Sequence, residues 1–298
     1  MSTMPQNLTV PASPGRLPVT LPRLAEAKRL GEPLVMVTAY DYPSARAAEA
    51  AGVDLVLVGD SGAMTVLGYP STVPVSLDEL LMLAAATRRG LQTPFLIGDL
   101  PFGSYEVSDE QAITTAMRFV KEAGCDAVKL EGGGRTSVAR ARAIVDAGIP
   151  VMGHVGLTPQ TSTALGGYKA QGRSAAAAVK IAREALALQE AGCFSIVFEA
   201  IPSAVTEAIM PRMEVPVIGI GAGPAADGQV LVFHDLLGIR EGRGARFVQR
   251  YADLQDEMAA GVTAFAADVR ARRYPAPGHG YSIDAAELAD FQKALATP

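Results

Sequence analysis

The stretch AGVDLVLVGDSG, residues 51–62, decides the fold. Leu55, Val56, Leu57 and Val58 are apolar without alternation, which is the habit of a parallel strand buried on both faces. The run then closes on Gly59, Asp60 and Ser61. A buried strand that delivers a carboxylate and a hydroxyl at its tip, with glycines on either side, points those groups at something.

The stretch has relatives along the chain. EAGCDAVKLEGG (122–133), DAGIPVMGHVG (146–156) and EAGCFSIVFEA (190–200) repeat its plan. A helix ends in Ala-Gly, a few residues link, a short apolar run follows, and a polar residue closes it. Glycine past a helix end adopts the left-handed conformation that other residues resist. Helical segments lie between these runs. SDEQAITTAMRFVKEAG (108–124) opens with Ser108 as N-cap and Gln111 three residues on, the pattern of a capping box. SLDELLMLAAATRRG (76–90) and SAAAAVKIAREALALQEAG (174–192) follow the same logic.

Strands are expected near 34–40, 54–59, 94–98, 127–130, 149–154, 195–199, 215–220 and 229–233. Eight βα-like units in one chain predict an α/β protein with a closed (β/α)8 barrel; a doubly wound open sheet is the alternative. The expected organisation is a flexible Pro/Ser/Thr-rich arm over 1–20, a barrel domain over 21–280 and a short helical tail over 281–298. Within the barrel domain, 245–273 reads as extra helix and 274–280 as a loop.

Bulk properties narrow the function. The 298 residues are 49% apolar, enough for a large core. Lys plus Arg number 26 against 31 Asp plus Glu, a net charge of −5, which argues against a nucleic-acid partner. No apolar run approaches the roughly 18–20 residues that span a bilayer, and the N-terminal residues lack a secretory pattern. Cys125 and Cys193 each precede a buried strand without a His/Cys cluster nearby, so both read as small core residues. A soluble cytoplasmic protein without membrane attachment is expected.

In a (β/α)8 barrel the site lies at the C-terminal ends of the strands. The polar residues closing the apolar runs are Asp60, Ser61, Asp99, Lys129, Glu131, His154 and Glu199. They belong to five strands, and a barrel would gather them in one pocket. Asp60, Asp99 and Glu131 offer hard oxygen ligands without a thiolate or histidine cluster, which favours Mg²⁺ over zinc. Lys129 is two residues before Glu131, on the same side of a strand, and suits an anionic substrate. Glu199 stands apart as a candidate general base, and Ser61 as a hydrogen-bond donor to substrate. Any one acid could instead cap the following helix, and His154 could be a satisfied structural residue. His234 and His279 read as structural or surface residues. The run IGIGAG (218–223) permits a phosphate cradle or, preferably, close backbone packing. Together the residues suggest a Mg²⁺-dependent enzyme acting on a small oxo acid through an enolate.

Longer segments carry a resemblance. TAYDYPSA (38–45), LVGDSGAMTVLGYPSTVPVS (57–76), GDLPFGSYE (98–106), AVKLEGG (127–133), GHVGLTPQ (153–160), GGYKAQGR (166–173), VIGIGAGPAADGQVLVFHD (217–235) and ARFVQRYAD (245–253) resemble the ketopantoate hydroxymethyltransferase family, in family order, over about residues 20–280. The resemblance implies a barrel of the phosphoenolpyruvate/pyruvate superfamily type, assembled as a homodecamer. It implies transfer of a one-carbon unit from 5,10-methylenetetrahydrofolate to 3-methyl-2-oxobutanoate, giving 2-dehydropantoate, the committed step toward pantothenate and coenzyme A. On that pattern Asp60, Asp99 and Glu131 hold Mg²⁺. Asp60, Ser61, Asp99 and Lys129 contact the oxo acid, His154 lines its pocket, and Glu199 accepts the proton. The chain departs from the pattern at Gly62-Ala63-Met64, where many members carry a bulkier residue before the Met, and at Thr163, where Asn is common. It also runs 19 residues past His279. A lyase or mutase of the same superfamily would be expected to carry a Lys-Cys-Gly-His motif, which is absent from the sequence. A catalytically silent barrel would be expected to break the constellation, which is complete.

Overall fold

The computed structural model describes residues 15–240, 242 and 244–296. Eight parallel strands close in sequence order: β1 (Leu34–Thr38), β2 (Leu55–Val58), β3 (Phe95–Asp99), β4 (Ala127–Lys129), β5 (Val151–Gly156), β6 (Ser195–Glu199), β7 (Val217–Ile220) and β8 (Gly228–Leu231). The last pairs with the first, Leu34 opposite Gly228. The open-sheet alternative is thereby excluded. The expected arm over 1–20 lies outside the described residues as far as residue 14.

The strands alternate between two cores. Inward rows such as Leu55 and Leu57, Phe95 and Ile97, Met152 and Val197 fill the barrel. Leu24 and Ala27, from the helix Leu21–Leu30, join that inner cluster and plug its N-terminal end. The intervening residues, among them Val56, Leu96, Val128, Ile196 and Phe198, pack against the outer helices. Gly98 lies where an added Cβ would come within 2.3 Å of Phe119 Cδ1, so the helix Asp109–Lys121 approaches β3 only because residue 98 lacks a side chain.

The helix ends follow their sequence signals. Gly52, Gly124, Gly148 and Gly192 all take positive φ. Ser76 and Glu79 form a reciprocal capping box. At Ser108 only half the expected box forms. Its hydroxyl accepts from the Gln111 amide, but Gln111 Oε1 accepts from Val107 N–H at 3.0 Å and its Nε2 donates to Gly103 O. The longer glutamine side chain finds partners in the preceding loop.

The circuit is not uniform. Residues 221–227 join β7 to β8 without a helix. The extra helix expected within 245–273 is confined to Leu254–Arg270, and 245–253 is irregular. Met258, Val262, Phe265 and Val269 on this helix are exposed. A further helix, Ala285–Leu295, carries exposed Leu288, Phe291 and Leu295. Among the described residues no helix is long and apolar enough to cross a membrane.

Candidate active site

The inward row of each strand continues past the apolar core into polar residues. Phe95 and Ile97 lead to Asp99, Ala127 leads to Lys129 and Glu131, Met152 leads to His154, and Val197 leads to Glu199. With Asp60 and Ser61 they line one cavity of about 100 Å³ at the C-terminal end of the barrel. All seven residues selected from the sequence therefore converge. Asp60, Asp99, Lys129, Glu131 and His154 are buried, and Ser61 and Glu199 are partly exposed.

Glycines set the entrance to this cluster. An added Cβ at Gly62 would meet Tyr40 Cδ1 at 2.7 Å, and one at Gly59 would meet Ser61 Oγ at 2.9 Å. Their lack of side chains lets the Tyr40 hydroxyl reach Ser61 Oγ at 2.8 Å. The glycine run at 218–223 likewise serves close packing. A Cβ at Gly221 would meet Phe247 at 2.5 Å, and one at Gly223 would meet Ser203 at 2.4 Å.

Lys129 Nζ donates to both Asp99 oxygens, at 2.7 and 2.8 Å, and lies 3.6 Å from Glu131 Oε1. Burial alone would drive its proton off, but Asp99, Glu131 and Asp60 outweigh that and hold the ammonium above its ordinary range. The Asp60 backbone N–H donates to Asp99 Oδ2 at 3.2 Å. Burial, then the neighbouring Asp99 and Glu131 charges, raises the Asp60 carboxyl well above the usual range despite Lys129. Burial likewise raises Asp99 against the opposing pull of Lys129. Glu131 is also desolvated, but Lys129 and His154 prevail and lower it.

His154 does not act as a satisfied structural residue. Its Nδ1 lies 3.4 Å from Glu131 Oε1 and its Nε2 lies 3.2 Å from Glu199 Oε2, and neither contact is aligned as a hydrogen bond. Burial and the Lys129 charge depress its pKa, yet Glu131 and Glu199 together lift it to about 9. Glu199 thus does not stand apart, as its position along the chain suggested. The register that sets His154 opposite Val197 brings the two together.

A supporting layer carried no role in the sequence reading. Gln160 N–H donates to Glu131 Oε2 at 3.0 Å, and Gln160 Nε2 donates to Leu100 O. Tyr105 donates its hydroxyl to Gln160 Oε1 at 2.7 Å and accepts from Glu131 N–H. The signal was present in the TPQ and FGSYE segments, but nothing local connects residues 55 positions apart.

The donor set fits a hard divalent cation. Four carboxylates face one ammonium and one imidazole, and Asp60 Oδ2 is buried without a hydrogen-bond partner. Among the described residues no group of three or more His, Cys, Asp or Glu side chains is arranged to hold a metal by itself. Mg²⁺ does not need such a cage, because it is commonly held by one or two carboxylates with water and substrate completing its shell. Cys125 and Cys193 are free and buried, and burial pushes both thiols up to about 12, so neither is an available nucleophile.

Comparisons with known proteins identify the family and the fold. Residues 18–277 match the family model described as ketopantoate hydroxymethyltransferase. The chain is 47% identical to 3-methyl-2-oxobutanoate hydroxymethyltransferase 1, mitochondrial, of Arabidopsis thaliana, over 98% of this chain and 86% of that one. It is 50% identical to the 3-methyl-2-oxobutanoate hydroxymethyltransferase of Moorella thermoacetica, over 88% of this chain and 97% of that one. Among solved structures, 2,3-dimethylmalate lyase, a PEP mutase/isocitrate lyase superfamily member, aligns with a TM-score of 0.55 at 15% identity, covering 93% of this chain and 98% of that one. At that identity the likeness concerns the fold alone.

Proposed function

The chain belongs to the ketopantoate hydroxymethyltransferase family, and on that premise we propose that it transfers the one-carbon unit of 5,10-methylenetetrahydrofolate to 3-methyl-2-oxobutanoate, giving 2-dehydropantoate. This transfer is the first step toward pantothenate and coenzyme A. The observation that carries this reading is the single cavity in which Lys129, three carboxylates and the His154–Glu199 pair meet.

Asp60, Asp99 and Glu131 would hold Mg²⁺. Bound there, the ion supplies stabilisation of the negative charge that develops on the 2-oxo oxygen. Lys129 offsets the substrate carboxylate, and Ser61, fixed by Tyr40, donates to it. Glu199 takes the proton from C3 of the oxo acid, breaking the C–H bond and leaving an enolate. The enolate carbon then bonds to the folate methylene, water completes the hydroxymethyl group, and tetrahydrofolate leaves. His154, between Glu131 and Glu199, orients the base and balances its charge. Tyr105 and Gln160 hold Glu131 in place.

The exposed apolar side chains of the helix Leu254–Arg270 support a homo-oligomer, read by family resemblance as a decamer. A cytoplasmic location accompanies the reading, although the plant relative is named mitochondrial.

The test is product formation followed by NMR. Protein, 3-methyl-2-oxobutanoate and methylenetetrahydrofolate are mixed with Mg²⁺ or with EDTA. Product only with Mg²⁺ is expected. Exchange of the C3 proton in D₂O without product would leave an enolising enzyme with another acceptor. The absence of both exchange and product would overturn the reading.

A further inference from the structure

The helix Arg135–Asp146 starts directly behind Glu131, after the glycines at 132–134. Gly132 takes a φ of +87°, and an added Cβ there would lie 2.9 Å from Ser137 Oγ. The turn folds the start of the helix back onto Glu131, and Ser137 Oγ donates to the Glu131 carbonyl at 2.9 Å. Arg140 follows Ser137 by three residues, on the same helix face. It reaches a different loop, 100–108, which joins β3 to the helix Asp109–Lys121. Its Nε donates to the Tyr105 carbonyl at 3.1 Å, its Nη2 donates to the Glu106 carbonyl at 3.3 Å, and its Nη1 pairs with Asp109. The Arg140 side chain is only 15% exposed. Thr115 Oγ1, donating to Ser104 O at 2.6 Å, and Gln111 Nε2, donating to Gly103 O at 2.9 Å, tie the same loop to the helix that follows it. Arg140 ties it across to the helix that follows Glu131. It therefore joins the segments behind two proposed metal ligands, Asp99 and Glu131.

Arg140 does not line the cavity at the barrel mouth. Its route there runs through Tyr105. The Glu131 N–H donates to the Tyr105 hydroxyl at 3.3 Å, so the hydroxyl hydrogen is left for Gln160 Oε1 at 2.7 Å. Burial, reinforced by the Glu131 charge, holds this phenol protonated, far above its ordinary range. With Gln160 Oε1 taken, Gln160 Nε2 donates to Leu100 O at 2.9 Å. The Gln160 N–H then donates to Glu131 Oε2 at 3.0 Å. The bonds form a ring that leaves Glu131 by its N–H and returns to its carboxylate. Each bond in it has one direction, and Tyr105, Glu131 and Gln160 are all buried. A buried polar group that loses its partner is costly, so Tyr105 cannot shift without disturbing Gln160 and Glu131.

We propose that Arg140 is a positioning residue for the metal site: by clamping the Tyr105 and Glu106 carbonyls it fixes the Tyr105–Gln160 ring and, through it, the Glu131 carboxylate. The inference rests on the functional reading above, because that reading assigns Glu131 to Mg²⁺. Charge and position predict opposite signs for the loss of Arg140. A guanidinium repels a dication, so on charge alone its removal would tighten Mg²⁺ binding. A clamp that holds Tyr105 acts the other way, and its removal weakens Mg²⁺ binding. Partners that orient a metal ligand commonly contribute about 10–100-fold in metal affinity. Tyr105 and Gln160 are such partners, and Arg140 stands one step behind them.

Calorimetric titration of Mg²⁺ into the full chain, with and without 3-methyl-2-oxobutanoate, tests the role. Tyr105→Phe should lower Mg²⁺ affinity by roughly tenfold, and Arg140→Ala by about threefold to tenfold. In the Tyr105→Phe background, Arg140→Ala should add little, because the route is already cut. Thermal melting in EDTA reads folding apart from metal binding. Arg140→Lys is the second variant, should the alanine variant not fold. It keeps a cation beside Asp109 but loses the planar fork that reaches both carbonyls, so it too should bind Mg²⁺ more weakly. Mg²⁺ affinity at or above the wild-type value in a folded Arg140 variant would overturn the proposal and leave the functional reading intact. A lowered melting temperature would then mark Arg140 as purely structural. Fully additive losses in the double variant would overturn the route through Tyr105. A wild type that binds no Mg²⁺ under either condition removes the metal assignment of the functional reading and the positioning role with it.

Discussion

His154 Nε2 lies 3.2 Å from Glu199 Oε2, while the other nitrogen of the same ring lies 3.4 Å from Glu131 Oε1. One buried imidazole therefore links the residue proposed to take the proton to a residue proposed to hold the metal. The link depends on adjacent strands: His154 is inward on β5 and Glu199 inward on β6. A carboxylate base must lie within reach of the proton it takes, and this contact fixes where the Glu199 carboxylate sits.

Replacing Glu199 by Gln keeps the shape and removes the base. Turnover is expected to fall by roughly 10²–10⁴-fold, the usual contribution of a positioned acid or base. Oxo-acid binding should change little. Exchange of the C3 proton in D₂O reads the loss directly, and an undiminished exchange rate would remove Glu199 from the role.

Asp60→Asn should act with opposite signs on two quantities. Asp60 is buried beside Asp99 and Glu131, and its Oδ2 has no hydrogen-bond partner. Neutralising it relieves repulsion in the metal-free protein, so the melting temperature in EDTA should rise. Mg²⁺ affinity should fall by at least about tenfold, or ~1.4 kcal/mol. Normal affinity in a calorimetric titration would count against a ligand role.

The His154 titration is open to NMR in the metal-free protein. Its pKa is lifted to about 9 by Glu131 and Glu199. A folded value above the unfolded one means that protonated His154 stabilises the fold. That contribution is complete below the ordinary value near 6.5 and is lost as pH rises through about 9. A ring midpoint at or below the ordinary value would dismiss the bridge.

Glu49 offers the reverse case, away from the site. It is buried and accepts from Gln92 N–H at 2.8 Å, from Thr93 N–H at 3.0 Å and from the Thr93 hydroxyl at 2.9 Å. Burial raises its carboxyl, but these donors prevail and lower it. The stability it confers is present above the unfolded pKa and is lost as pH falls through the folded value. Glu49→Gln should cost roughly 1–3 kcal/mol at neutral pH, because an amide replaces one acceptor oxygen with a donor. The penalty should shrink in acid. Denaturant midpoints at pH 7 and pH 4 measure both, and an equal loss at the two pH values would contradict the assignment.

The barrel was legible because a parallel strand buried on both faces has few alternatives in composition. Leu55, Val56, Leu57 and Val58 could not face water on either side, and Gly52, Gly124, Gly148 and Gly192 marked where helices had to stop. The site was legible for a related reason. A charged side chain that ends an apolar inward row cannot remain in the core, so Asp99, Lys129 and Glu199 had to lie at the mouth. What remained hidden depended on side-chain length and partner choice. Gln111 resembled the second half of a capping box, yet the preceding loop offered it Val107 and Gly103. The link between β7 and β8 had no apolar periodicity to betray a helix, and none formed.

The amino-acid sequence by itself determined the eight strands, their parallel burial and the seven polar residues at their tips, because those follow from hydrophobic period and the cost of burying charge. The tertiary structure alone decided which of those residues touch. Lys129 donates to both oxygens of Asp99 and lies beside Glu131, His154 lies between Glu131 and Glu199, and Tyr105 reaches Gln160 across 55 positions, through the barrel's closure and the register of neighbouring strands. Distances of 3 Å between side chains are set by how whole elements pack, and no local stretch of sequence encodes that.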